Sequence, residues 1–225
     1  MKMPICIPIG ILLVCFETRY FDVCSQVPVF NFVCVSKYLR KLYNPADSII
    51  FFCYNFAAIE VSKDIPGLEV EHVKIDKLPF LNTDLEVNGR FPDEVEEFRA
   101  SIQKADSILF ASPEYNYSMT APLKNAIDWA SRSPNCWADK PATIISAGGG
   151  FGGGRSQYHL RQVGVFVDLH FLNKPELFVK AFEPPAKFDA QGNVIHEETK
   201  QRIKSLLIAL QNWTLRLNND GSGKL

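Results

Sequence analysis

The chain has 225 residues, and its 24 Lys and Arg balance 25 Asp and Glu to a net charge of -1. That length suits one medium α/β domain with a sizeable core. The balanced charge excludes the basic footprint of a nucleic-acid or anionic-membrane binder and leaves a small molecule as the expected partner.

The first quarter differs in composition from the rest. Cys6, Cys15, Cys24, Cys34 and Cys53 crowd into it, together with many Phe, Tyr, Ile and Val and few acids, while Cys136 stands alone later. The cysteines lack the Cys-x-x-Cys spacing of a zinc or redox site, so reduced thiols in a cytosolic protein are the expectation. Met3 to Phe16 (MPICIPIGILLVCF), preceded by Lys2, invites comparison with a signal peptide. It is too short to span a bilayer, prolines interrupt it and no small-x-small cleavage site follows, so it reads as a buried strand or an extension, without stable membrane insertion.

From Glu60 onward, short apolar strands alternate with helices, the pattern of a parallel sheet covered on both faces. Leu68 to Ile75 alternates as a half-buried strand after the Pro66-Gly67 turn. Pro92 to Ala105 opens with proline and acids and carries Val95, Phe98 and Ile102 at helical spacing. Ser107 to Ala111 is a short buried strand, the loop Ser112 to Met119 follows, and a helix starts near Ala121. Thr143 to Ala147 is a further buried strand and runs into Gly148-Gly149-Gly150-Phe151-Gly152-Gly153-Gly154. A helix over Gln157 to Val167, a strand near Leu177 to Val179 and a long helix over Glu197 to Leu217 complete the pattern.

In such a sheet ligands bind outside the carboxyl ends of the strands, where both unusual loops lie. Pro113, Glu114, Tyr115, Asn116 and Tyr117 offer aromatic rings for a planar heterocycle and backbone N–H groups for its polar edge. The competing reading is a tight strand-to-helix turn capped by Asn116 or Ser118. The glycine run lets backbone approach a ligand closely. Gly148, Gly150 and Gly153 satisfy G-x-G-x-x-G only trivially. Gly149, Gly154, Arg155 and Ser156 imitate a Walker A loop with arginine for lysine, and Val165 to Asp168 could imitate its metal-binding strand. His72, His159, His170 and His196 are scattered, neither G-x-S-x-G nor H-E-x-x-H occurs, and Asp84 and Glu86 read as solvated loop acids. Without acid/base machinery or a metal site, the chemistry is expected to belong to a cofactor, with no catalytic side chain of the protein's own.

Residues 112–131 (SPEYNYSMTAPLKNAIDWAS), Lys140-Pro141, the AGGGFGGGRSQYHLRQ stretch at 147–162 and Asn173 to Glu176 closely resemble the NADPH-dependent FMN reductase family, nearest to its plant and bacterial NAD(P)H:quinone oxidoreductases. The resemblance runs from about Phe56 to Leu217. It implies a flavodoxin-like three-layer α/β sandwich around a parallel five-stranded sheet, with FMN at the switch point. By the same resemblance Pro113, Glu114, Tyr115, Asn116 and Tyr117 contact the isoalloxazine ring, and Ser146, Gly148, Gly149 and Gly150 close over it from the other side. It further implies two-electron, ping-pong transfer from NADPH or NADH to a quinone. A soluble homo-oligomer, tetramer or dimer, is implied in the cytosol, with Arg155, Tyr158 and Glu176 at tetramer contacts.

The resemblance fails at the N-terminus. Family members follow their first strand with a phosphate loop of the form G-S-x-R-x-x-S-x-N, which uses backbone N–H groups, a helix N-terminus and an arginine. The nearest candidate, Val29 to Asn44, has Ser36 and Arg40. It puts Lys37 and Tyr38 where the family has Gly and Ser, and Leu42, Tyr43 and Pro45 depart further. The central strand itself is uncertain, with Val29 to Val35 and Ile49 to Phe52 as candidates to fill its place. The expected division is a divergent or replaced segment 1–55, a flavodoxin-like domain 56–217 and a tail 218–225. The alternative function is a flavodoxin-like module with weakened or lost FMN binding, a non-catalytic partner or inactive variant.

Overall fold

The computed structural model describes residues 9–15, 57–189 and 193–220. Six parallel strands form one sheet: β1 (Ile9–Cys15), β2 (Leu68–Lys74), β3 (Ser107–Pro113), β4 (Lys140–Gly148), β5 (Leu169–Phe171) and β6 (Leu177–Lys180). Their order is β2-β1-β3-β4-β5, with β6 also on β4. β5 pairs with Lys140 to Ala142 and β6 with Ile145 to Gly148, so the two share one edge of β4 and the fifth position of the sheet is split between them. Pro175, which has no N–H to give to a ladder, lies in the break.

Ile9–Cys15, from the apolar run that also invited comparison with a signal peptide, is an interior strand, between β2 and β3. It pairs along its length with Leu68–Lys74 on one side and, from Ile11 to Val14, with Ser107 to Phe110 on the other. Asp106 fixes the register: its Oδ2 accepts the Gly10 N–H at 2.7 Å, and its own N–H donates to the Gly10 carbonyl at 3.0 Å. This place was expected to be filled by Val29 to Val35 or Ile49 to Phe52, and Ile9–Cys15 takes it instead; those two runs and the degraded phosphate-loop candidate at Val29 to Asn44 lie outside the described residues.

Residues 57–62 are helical (α1), followed by α2 (Asp93–Lys104), α3 (Ala121–Ser131), α4 (Gly154–Phe166) and α5 (Glu197–Asp220). Alternate side chains of the strands feed two cores, because successive residues of a strand point to opposite faces. Ile11, Leu109, Ile145 and Leu177 pack against α1 and against Ile203, Leu206, Leu207 and Leu210 of α5. Leu12, Val14, Ile108, Phe110 and Ile144 pack against α2, α3 and Leu160 of α4. Three layers result, as the resemblance implied. Among the described residues no helix is long and apolar enough to cross a membrane.

Two cations hold the layer of α2 and α3 in place. Lys140 donates to the carbonyl of Ala105 at 2.7 Å, at the end of α2, and burial lowers its ammonium pKa. Arg99 is buried, and its guanidinium donates to the carbonyls of Trp129, Arg132 and Pro134 at 2.9–3.0 Å while lying over the Phe91 ring. Arg99→Met would take a donor from three carbonyls, of which only that of Trp129 keeps a backbone partner, the Arg132 N–H at 3.3 Å. Each buried orphan is costly, so the variant is expected to lose about 2 kcal/mol or more in urea unfolding. A midpoint unchanged from the wild type would show that water replaces the guanidinium.

Candidate functional site

β3 and β4 are neighbours, with Pro113 opposite Ala147 in register, so the loops that leave their carboxyl ends emerge side by side. Although 113–117 and 148–153 are far apart in sequence, the sheet brings them together. The Glu114 N–H donates to the Ala147 carbonyl at 3.3 Å, the first link between them.

The first loop is a tight turn. Tyr115 and Ser118 exchange backbone hydrogen bonds at 2.9 and 3.0 Å, and the two residues between them, Asn116 (φ 49°) and Tyr117 (φ 66°), are both left-handed. Two positive φ values in succession describe a type I′ turn, which favours Asn at its first position and glycine at its second. Asn116 suits its place. Tyr117 does not, and the residue is 63% exposed; Tyr115 is exposed beside it. The capping reading is overturned, because Thr120 is the N-cap of α3 and accepts the Leu123 N–H, whereas Ser118 Oγ lies 3.1 Å from His159 Nδ1.

The second loop is built from within. Ser146 is buried; its hydroxyl donates to the Gly152 carbonyl at 2.9 Å and accepts from Gln157 Nε2 at 2.8 Å. Gly153 has φ 83°, and a Cβ there would stand 2.6 Å from Ser146 Cβ. Gly149 and Gly150 differ: a Cβ on either would meet nothing within 4 Å. The bare backbone of these two residues therefore faces open space next to the tyrosine turn. Gly148 is tucked against Gly153.

The expected site residues thus separate by role. Tyr115 and Tyr117 are exposed and a Cβ on Gly149 or Gly150 would meet nothing, so these four, with Pro113 and Asn116 beside the tyrosines, are the residues whose surface could hold a planar ring. Ser146 does not offer its hydroxyl to that surface, because both of its hydrogen-bonding roles are taken inside the protein. Glu114 is likewise turned inward, where its Oε2 accepts the Arg155 N–H at 2.9 Å and its Oε1 the Arg155 guanidinium at 3.1 Å. The bonds of Arg155 to Glu114, of Gln157 to Ser146 and of His159 to Ser118 had no local signal; the only hint was polar residues at alternate positions immediately after a glycine run.

The Walker imitation also dissolves. Residues 154–166 are helix, so Val165 and Phe166 are not strand residues, and both are exposed. Of the residues implied at tetramer contacts, Arg155 pairs with Glu114, Glu176 with Lys174 at 2.6 Å, and the Tyr158 ring meets Phe178 edge-on.

A phosphate would be held beyond the carboxyl end of β1, which is at Cys15. The residues that follow lie outside the described ones, and no glycine occurs between Gly10 and Gly67. The ring-binding half of an FMN site fits these residues; its phosphate half has no glycine cradle in sequence.

The model of the family described as NADPH-dependent FMN reductase matches residues 45–183. An NADPH:quinone oxidoreductase of Arabidopsis thaliana is 67% identical over 162 residues, which cover 72% of this chain and 83% of that relative. An NAD(P)H-dependent FMN reductase of Pseudomonas aeruginosa is 47% identical over 168 residues, 73% of this chain and 89% of that one. Among solved structures, the flavoenzyme NAD(P)H:(acceptor) oxidoreductase FerB of Paracoccus denitrificans superposes with a TM-score of 0.68 over 93% of this chain and 98% of its own, at 22% identity, a likeness of fold. Both site loops and the strands β3 and β4 that bring them together fall inside the matched span, and the chain belongs to the NADPH-dependent FMN reductase family.

Proposed function

We propose that this protein is an FMN-dependent oxidoreductase that passes two electrons from NADPH or NADH to a quinone or similar small acceptor, in two successive half-reactions at one site. The observation that carries the reading is the exposed Tyr115–Tyr117 turn beside the bare Gly149-Gly150 backbone, at the carboxyl ends of two adjacent central strands. The quinone oxidoreductases and FMN reductases among its relatives supply the reaction class.

Bound FMN would supply the hydride chemistry, which no side chain of the site can. The tyrosine turn and the glycine backbone would hold the ring by contact and by N–H groups. The side open to solvent leaves room for donor and acceptor to take turns, and that supports the ping-pong order. The unit that does this spans 56–217, with Ile9–Cys15 completing its sheet. Exposed Val165 and Phe166, adjacent at the end of α4, support a homo-oligomer, and the ordinary charge balance supports a cytosolic place.

The test is the visible spectrum of the purified full-length protein, with FMN titrated in if it is colourless. Flavin bands bleached by NADPH and restored by a quinone are expected. Failure to take up flavin at about 50 μM FMN, weaker than a useful cofactor affinity, would overturn the reading. It would favour the second one, a flavodoxin-like module without FMN, for which the lack of glycine between Gly10 and Gly67 speaks.

A further inference from the structure

One guanidinium touches side chains from both site loops. Arg155, in the first turn of α4, pairs with Glu114 of the tyrosine loop, lies 4.0 Å from the centre of the Tyr117 ring and 5.2 Å from that of Phe151 in the glycine loop. The Glu114 side chain is only 12% exposed, and its second oxygen accepts the N–H of Arg155 itself. Both carboxylate oxygens are therefore engaged at a helix N-terminus, where the peptide dipoles favour negative charge.

The turn these contacts hold is not one the backbone chooses. A tyrosine in the left-handed region costs about 1–2 kcal/mol, and such a conformation persists only where its surroundings over-determine it. The stacked guanidinium contributes there, and the contact of His159 with Ser118, one helical turn further on, is a second tie.

We propose that Glu114 and Arg155 are a positioning pair for the flavin slot. Arg155 sets the separation of the two loops through Tyr117 and Phe151, and the two charges cancel beside the ring. Glu114 thus works through Arg155, in place of the ring contact expected of it. The inference rests on the reading that the two loops hold FMN.

The test is a four-protein cycle of wild type, Glu114→Gln, Arg155→Met and the double variant, read by FMN fluorescence quenching and by the reduction potential of the bound FMN. Arg155→Met leaves an uncompensated carboxylate near the ring and is expected to lower the potential. Glu114→Gln leaves an uncompensated guanidinium and is expected to raise it. Each single change is expected to weaken FMN binding about tenfold, and the double variant no further, since the partners act as one unit. Arg155→Lys, which keeps the charge but not the fork, is expected to restore the potential but not the affinity. A merely structural pair, or one that serves only subunit contacts, would alter stability or assembly in light scattering without moving the potentials in opposite directions. Potentials that stay fixed, or move together, overturn the pair while the reductase reading stands. A wild type that takes up no FMN overturns both.

Discussion

Val14→Asp is expected to abolish folding. Val14 is fully buried in the interior strand β1, opposite Val73 of β2 and Phe110 of β3, and packs in the core with Phe98, Ile102 and Ile108. An aspartate there has no cation to pair with on either ladder partner, and burying an unpaired carboxylate costs several kcal/mol even after relaxation. Lost packing adds about 2 kcal/mol, the share that Val14→Ala alone would show. Together these are comparable with the whole stability of a domain this size, about 5–15 kcal/mol. Circular dichroism and soluble yield are the measurements: Val14→Ala should fold with a lowered midpoint, and Val14→Asp should give no cooperative transition. A Val14→Asp protein that melts like the wild type would show that Ile9–Cys15 is not an interior strand of the sheet.

That strand was also the hardest to place from sequence, and the reason is physical. A strand buried on both faces reads as a continuous apolar run without alternation, and the first 55 residues hold three such runs, at Met3 to Phe16, Val29 to Val35 and Ile49 to Phe52. What selects the one that enters the sheet between β2 and β3 is long-range: the paired hydrogen bonds between Gly10 and Asp106, 96 residues apart. Ser107–Pro113 and Lys140–Gly148 were legible because each apolar run has a clear boundary, Asp106 before the first and the glycines after the second. The loops of the site were legible for the same reason, since a glycine run and a Pro-Glu-Tyr-Asn turn announce themselves locally. What the loops do to each other was not. Glu114 and Arg155 are 41 residues apart and meet only because β3 and β4 are neighbours, and Ser146 turns inward only because Gln157 and Gly152 wait for its hydroxyl. Residue type at a strand end indicated a ligand surface. Which side chains face the ligand and which hold the frame required the packing.

Gly153→Ala and Gly149→Ala separate frame from surface. At Gly153 the backbone is left-handed, φ 83°, and a new Cβ would fall 2.6 Å from Ser146 Cβ, 2.8 Å from Ser146 Oγ and 2.9 Å from the Ala147 carbonyl oxygen. Those atoms belong to the buried end of β4 and cannot swing aside as the tip of a flexible side chain could. The unfavourable φ costs about 1–2 kcal/mol and the overpacking about 1–3 more, so Gly153→Ala is expected to lose about 2–5 kcal/mol of stability. Because the displaced Ser146 also anchors Gly152, FMN uptake should fall with it. At Gly149 the same methyl meets nothing within 4 Å, so Gly149→Ala is expected to unfold at the wild-type urea concentration. Its methyl group projects into the space assigned to the ring, however, and FMN binding should weaken about tenfold, roughly 1.4 kcal/mol. Urea unfolding of the apo-proteins and FMN titration of both variants give four numbers. Loss of stability at Gly153 with loss of affinity alone at Gly149 places the ring against the open glycines. An unchanged FMN affinity in a fully folded Gly149→Ala protein would mean that the ring does not lie there, and that the glycine loop serves only to let β4 enter α4.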